Sequence, residues 1–157
     1  MKASFSIQVS RSGVQAVGLG TKKRYRSRSD NVLAQRWQDL ARKELSAYLA
    51  GRLRSFSAPC DLSSLSLFTR AVLRITARIP YGQVRSYRWI AERLGKPAAS
   101  RAVGNALAQN PIPIIIPCHR VVRSDGELGG FALGASWKRR LLDLEKGHSG
   151  RRAAKRV

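Results

Sequence analysis

Five of the six prolines in this 157-residue chain fall between positions 80 and 117, and Gly82 and Gly95 lie among them. Proline lacks the backbone donor that a helix interior or a central strand requires, and glycine readily adopts the left-handed turn that ends a helix. No long element can cross that region, so it must fold as short helices and turns. The apolar spacing agrees. Phe68, Val72, Ile75 and Ile79 recur at helical intervals and mark one helix, stopped by Pro80 and the turn at Tyr81-Gly82. Ser86 is placed to cap a second, Tyr87 to Leu94, closed by Gly95. After Lys96-Pro97 a third runs from Ala98 to Gln109 and ends at Asn110-Pro111. Two short helices joined by a glycine-containing turn, with Arg101 near the start of the second, outline a helix-turn-helix.

The first part of the chain has a different period. Phe5, Ile7 and Val9 alternate with polar residues, Ser10-Arg11-Ser12-Gly13 supplies turn chemistry, and Val14 to Leu19 reads as a second strand, which predicts a hairpin. The run Lys22 to Arg28 is a charged loop. Asp30 is positioned to cap a helix carrying Leu33, Trp37, Leu40, Leu45 and Leu49 on its apolar face, ended by Gly51. Residues 52–65, rich in serine, read as a linker. Beyond residue 118, Gly126 to Phe131 forms a glycine-rich loop. A last helix is expected from about Ser136 to Lys146, burying Trp137, Leu141, Leu142 and Leu144, and the basic residues 148–157 form a tail. The predicted fold is therefore an α/β N-terminal unit over 1–59, a short hairpin plus a helix, packed on a mainly α unit over 66–147 that contains the helix-turn-helix.

The charge balance narrows the function. Thirty basic residues against nine acidic ones give a net charge of +21, spread along the whole chain. Such a field attracts polyanions, nucleic acid first, and charge alone would suit a ribosomal or nucleoid protein equally well. No run approaches the roughly 20 apolar residues of a membrane span, and no amphipathic segment pairs a basic face with a broad apolar one. The N-terminus has no signal-peptide core, so an intracellular protein is expected. The two cysteines, Cys60 and Cys118, have no metal-ligand spacing, and both read as free thiols.

Chemistry concentrates at Cys118. It directly precedes His119, one of two histidines, after the Pro-broken run Ile114-Ile115-Ile116-Pro117 and before Arg120-Val121-Val122. A thiol reacts as thiolate and needs a nearby base or cation to become one; His119 and Arg120 are candidates. Adjacent side chains do not point at each other, so a proton passing from Cys118 to His119 needs a bridge, such as a water molecule. The second ring nitrogen then needs an orienting acceptor. Of the four glutamates in the chain, Glu145 on the last helix is the reasonable choice.

The segment Asn110-Pro111-Ile112-Pro113-Ile114-Ile115-Ile116-Pro117-Cys118-His119-Arg120-Val121-Val122 closely resembles the signature of the O6-alkylguanine-DNA alkyltransferases. The likeness extends to Ile79-Pro80-Tyr81-Gly82, Ser86-Tyr87, Ser100-Arg101-Ala102-Val103-Gly104, Gly129-Gly130-Phe131, Lys138, Leu141-Leu142 and Glu145-Lys146-Gly147, roughly residues 66–147. The resemblance implies a single-turnover DNA repair methyltransferase with Cys118 as the alkyl acceptor. His119 would act as base through water and Glu145 would hold its tautomer. Tyr87 would donate to a guanine ring nitrogen, and Asn110 would tie the helix end to the active-site turn. Pro113, Val121, Phe131 and Ala132 would form the pocket, with the carbonyls of Cys118 and Val121 accepting from the guanine amino group. Arg101 would be the finger that replaces a flipped base, with Ser100, Ala102, Tyr87 and Arg120 also on the DNA side. The implied partner is double-stranded DNA carrying O6-alkylguanine, bound through the minor groove by a monomer, in the cytoplasm or, in a eukaryote, the nucleus. No cofactor, metal or membrane is implied.

Two features depart from the family pattern. Phe131 and Ala132 stand where many relatives carry tyrosine and serine, so a backbone N–H would have to serve the guanine oxygen. Residues 1–59 contain neither cysteine nor histidine, so the zinc site that some relatives hold there cannot form. Non-catalytic alkyltransferase-like proteins carry tryptophan at the acceptor position, and Cys118 places this chain on the catalytic side. The alternatives are a DNA-lesion-binding module of the same shape, which would leave Cys118 unmodified, and a Cys-His hydrolase, which would turn over repeatedly.

Overall fold

A computed structural model of the chain describes residues 3–20 and 31–153, with side chains through His148. The described residues form two compact units, one from those within 1–65 and 111–115 and one from those within 66–110 and 116–157. The basic run at 22–28, the cap expected at Asp30 and the last four residues of the tail lie outside the described residues.

The first unit opens with the expected hairpin. Strand β1 (Phe5–Ser10) pairs antiparallel with β2 (Gly13–Leu19), with an irregularity in register between Gln8 and Val9. Helix α1 (Val32–Leu49) packs on both strands. Its N-cap is Asn31, whose side-chain oxygen accepts from the backbone N–H groups of Leu33 and Ala34, both at 3.1 Å. Of the apolar positions expected inward, Leu45 and Leu49 are buried, while Leu33, Trp37 and Leu40 are not. Ala34, Gln38, Ala41, Leu45, Tyr48 and Leu49 face inward, while Leu33 is 41% exposed. The Gln38 amide donates to the Ile7 carbonyl at 2.7 Å.

The stretch read as a linker is more tightly held than that description implies. The Val14 N–H donates to Pro59 O at 2.7 Å and the Asp61 N–H to Val14 O at 2.8 Å, which makes a parallel bridge beside β2. Gly13, at φ +145, permits this approach, because a Cβ there would stand 2.4 Å from Pro59 O. Buried Glu44 of α1 anchors the same stretch by accepting from the backbone N–H groups of Ser57 and Ala58. Cys60 sits within it, half-buried, its thiol pushed up to about 11 by burial and by Glu44.

The second unit contains the short helices that the proline and glycine pattern requires. Helix α2 (Leu67–Ala77) is capped by Ser66 and buries Thr69, Val72, Leu73 and Thr76. The chain then passes through a two-residue strand β3 (Arg85–Ser86) into α3 (Tyr87–Arg93), whose Trp89 N–H is capped by the Ser86 hydroxyl at 3.0 Å. Gly95 follows its end at φ +69, as expected of a helix-terminating glycine. Helix α4 (Ser100–Ala108) packs against α2 and α3 and completes the helix-turn-helix.

After Ile116 the chain makes one turn of 3₁₀ helix, Cys118–Arg120, and a two-residue strand β4 (Val121–Val122) that lies parallel to β3. Helix α5 runs from Ala135 to Ala153, seven residues beyond the expected end. Its inward face carries Lys138, Leu141, Leu142 and Glu145, whereas Trp137 and Leu144 are only partly covered. No helix among the described residues is long and apolar enough to cross a membrane.

Candidate active site

Cys118 sits on the 3₁₀ turn because Pro117 interrupts the apolar run and β4 must enter the sheet beside β3. It is 5% exposed. The Asn110 side-chain amide, at the end of α4, donates to Sγ at 3.1 Å and to the Ile116 carbonyl at 3.2 Å. A single side chain thus aims the sulfur and pins the backbone two residues before it. Burial pushes the thiol up to about 11, and the Asn110 hydrogen bond and the Lys138 charge oppose that rise without overcoming it. At neutral pH the resting group is the thiol.

His119 is fully buried. Its Nε2 lies 2.8 Å from Glu145 Oε1. Burial alone would raise the Glu145 carboxyl, but hydrogen bonds and charge from His119 and Arg120 bring it down to about 2. An ionised carboxylate accepts only, so Nε2 carries the ring hydrogen and Nδ1 carries the lone pair. Glu145 Oε2 also accepts from the Gly82 N–H at 2.9 Å.

Arg120 corrects an expectation. Expected at the DNA contact or beside the thiol, it is 5% exposed and turned onto Glu145. Its Nε lies 3.1 and 3.0 Å from the two carboxylate oxygens, its Nη2 2.9 Å from Oε1, and its Nη1 donates to Ile79 O at 2.6 Å. The cation whose charge opposes the rise of the Cys118 thiol is Lys138. Its Nζ donates to Val121 O at 2.6 Å and Gly130 O at 3.1 Å, tying β4 to the glycine-rich loop. Burial lowers this ammonium to about 8. Sequence reasoning gave Lys138 no role. The available signal was its position on one helical face with Leu141, Leu142 and Glu145, where a solvated lysine does not belong.

A cavity of about 370 Å³ opens beside the thiol, lined by Tyr87, Gly104, Leu107, Cys118, Phe131 and Ala132 among others. That lies within the range of small-ligand pockets, and apolar walls with few polar groups suit a flat aromatic guest. The Tyr87 ring fits between Gly104 of α4 and Gly129 of the loop, where a Cβ at Gly129 would meet Oη at 2.6 Å. Its hydroxyl is held above the ordinary phenol range by burial and by the proximity of Cys118, although a backbone hydrogen bond from Gly130 opposes this. Phe131 also presents its ring edge-on to His119, with centroids 6.3 Å apart. Pro113 and Val121, expected as walls, do not line the cavity. The Val121 carbonyl accepts from Lys138 Nζ. Ser100, Arg101 and Ala102 form the first turn of α4, with Arg101 and Ala102 exposed, and no side chain caps that helix.

A buried thiol aimed by an amide, a carboxylate-held imidazole next to it in sequence and an apolar pocket together make a cysteine-centred site. A profile of the DNA-binding domain of 6-O-methylguanine DNA methyltransferase matches residues 67–147. The methylated-DNA–protein-cysteine methyltransferase of Mycolicibacterium paratuberculosis is 49% identical over 107 residues, which is 68% of this chain and 64% of that protein. The Methanosarcina barkeri protein of the same name is 43% identical over 125 residues, 80% of this chain and 78% of its own. A crystal structure of Mycobacterium tuberculosis OGT in complex with DNA matches with a TM-score of 0.79 at 36% identity, covering 92% of this chain and 87% of that one. The chain belongs to the 6-O-methylguanine DNA methyltransferase family, and it spans 62–64% of the length of the mycobacterial relatives.

Proposed function

We propose that the protein is a DNA repair alkyltransferase that moves the alkyl group of O6-alkylguanine onto its own Cys118, once per molecule. The observation that carries this reading is the arrangement at the sulfur: Sγ receives the Asn110 amide at 3.1 Å and belongs to the wall of an apolar cavity. Beside it, Glu145 holds Nε2 of His119 at 2.8 Å, so that Nδ1 is the basic nitrogen.

In this mechanism a water molecule relays the thiol proton to Nδ1 as Sγ attacks the alkyl carbon. The S–C bond forms as the C–O6 bond breaks. The electron pair on the departing oxygen delocalises into the purine, and the Tyr87 hydroxyl supplies a proton to a ring nitrogen, so guanine leaves neutral. The histidine proton restores the tyrosine through solvent. The product thioether does not hydrolyse, which ends the cycle. The reactive carbon cannot be reached inside a duplex, so the base must be flipped out, and Arg101 at the exposed start of α4 is the residue to fill the gap. Ser100, Ala102 and the uncapped N–H groups of that first turn suit phosphate and sugar contacts in the minor groove. The protein acts as a monomer in the cytoplasm.

Intact-protein mass after incubation with an oligonucleotide containing O6-methylguanine tests the reading. A single methyl, mapped to Cys118 and absent from Cys60, is expected. An unchanged mass with retained binding would point to a lesion-binding module, and repeated turnover to a hydrolase.

A further inference from the structure

We propose that Arg120 is a positioning residue that keeps His119 uncharged in the resting centre, because its guanidinium clamps Glu145 from the other side and matches the carboxylate's charge in advance. The proposal rests on Cys118 being the alkyl acceptor, and it assigns a buried arginine that the transfer chemistry itself does not use.

The geometry is a closed triad. Arg120 approaches both oxygens of Glu145 through Nε, at 3.1 and 3.0 Å, and reinforces Oε1 through Nη2 at 2.9 Å. His119 Nε2 shares Oε1 at 2.8 Å. Arginine does not deprotonate in proteins, so the pair Arg120–Glu145 is a permanent, neutral unit. The guanidinium is fixed from behind as well, with Nη1 on Ile79 O at 2.6 Å and its carbon 5.6 Å from the centre of the Tyr81 ring. A histidine against an unmatched buried carboxylate is drawn toward the imidazolium. Against this neutral unit a proton on His119 would leave one net positive charge in a site with almost no solvent.

Of the other groups facing His119, only Glu145 acts in the opposite sense. From α5 come Glu145, which favours the imidazolium, and Lys138, which opposes it. From its own turn come Cys118, uncharged below about 11, and Arg120. Helix α2 packs on the turn with Thr69, Val72, Leu73 and Thr76 as its buried residues, none of them titratable. Burial is the largest influence and lowers the imidazole below its ordinary value, with Arg120 and Lys138 adding to it against Glu145. The consequence is chemical. A neutral imidazole can accept the thiol proton at the moment of attack, whereas an imidazolium could not. The site therefore works from thiol and base and not from a standing thiolate–imidazolium pair.

The experiment is the pH dependence of single-turnover methyl transfer in Arg120→Met and Arg120→Lys, beside nitrogen NMR of the His119 ring in the native protein. In the native protein the acid limb should lie below the ordinary histidine range, and the ring should be neutral with its hydrogen on Nε2 at pH 6.5. R120M should move the limb up by about 1–3 pH units, the range for removal of an adjacent charge. R120K, which keeps the charge, should leave the limb in place even if the rate falls. An arginine that merely supports the fold would lower the rate without moving the limb. If R120M does not fold, Arg120→Gln keeps donors to Glu145 without the charge and must move the limb the same way. A limb unmoved in the neutral variants, or an imidazolium at pH 6.5 in the native protein, would overturn the proposal. Absence of any transfer by the native protein would instead sink the acceptor reading, and the NMR titration would still report on Arg120.

Discussion

Replacing Gly129 with alanine should misplace Tyr87 without unfolding the protein. Gly129 sits at φ +67, where an alanine costs roughly 1–2 kcal/mol. Its Cβ would lie 2.6 Å from Tyr87 Oη and 3.1 Å from Cε2, so the hydroxyl is about 0.8 Å short of the 3.4 Å at which ordinary contact begins. The ring has somewhere to go. Along its other edge, even a Cβ at Gly104 would stand 3.7 Å from Cε1, which is ordinary contact. The ring should therefore slide toward α4 and carry the hydroxyl away from the guanine nitrogen it is to protonate. A misplacement near 1 Å can cost on the order of 100-fold in rate, so G129A should slow transfer by about 10- to 100-fold. Its stability should fall by about 1–3 kcal/mol, strain and backbone together, a drop of roughly 3–10 °C in Tm. Rapid-quench single-turnover kinetics and thermal melts read both quantities. Gly104→Ala alone should be close to native, and G129A with G104A should be worse than the two effects added, because the retreat is then blocked. In a Tyr87→Phe background, where the clashing oxygen is gone, G129A should cost much less rate. Native kinetics in G129A, or full additivity with Y87F, would show that the loop does not seat the tyrosine.

Three further expectations follow from the site. Asn110→Leu removes the donor to Sγ and leaves the Ile116 carbonyl without that bond, so the thiol should titrate higher than about 11 and stability should fall by about 1–3 kcal/mol; thiol alkylation rates against pH and a denaturant melt read the two effects, and an unmoved titration would contradict the Asn110 role. Glu145 is depressed from 4.5 to about 2, so its stabilising contribution is complete above about pH 4.5 and is lost as pH falls through 2; the stability gap between native and Glu145→Gln protein should close across that window, and a pH-independent gap would show the carboxylate is not held as its contacts indicate. Arg101→Ala should slow repair of duplex DNA far more than reaction with free O6-alkylated guanine base, and equal losses on the two substrates would remove its finger role.

Legibility in the sequence depended on how local each cause is. The hairpin, the Ser86 cap and the helix-ending Gly95 follow from contacts within a few residues, and they stand where expected. In α1 the large apolar residues Leu45 and Leu49 are buried as their spacing predicts, whereas the first turns bury Ala34, Gln38 and Ala41 in place of Leu33 and Trp37, because tertiary contact with the hairpin sets that face. Residues 52–65 looked like a linker because nothing in their composition reveals that Val14 and Glu44 bind them.

At the site the same division holds. By itself the sequence determined that Cys118 would be held rigidly after Pro117, that His119 would need an acceptor, and that Glu145 was the available one; scarcity of chemistry-bearing residues does that without any coordinates. Only the tertiary structure decided where the two cations go. Arg120 neighbours His119 in sequence, yet its side chain crosses to Ile79 and Glu145, while Lys138, twenty positions from Cys118, supplies the nearby charge. The physical reason is desolvation. A buried cation must find oxygens wherever the packing of distant segments puts them, and that location is a property of the folded arrangement of α2, α5 and the glycine-rich loop.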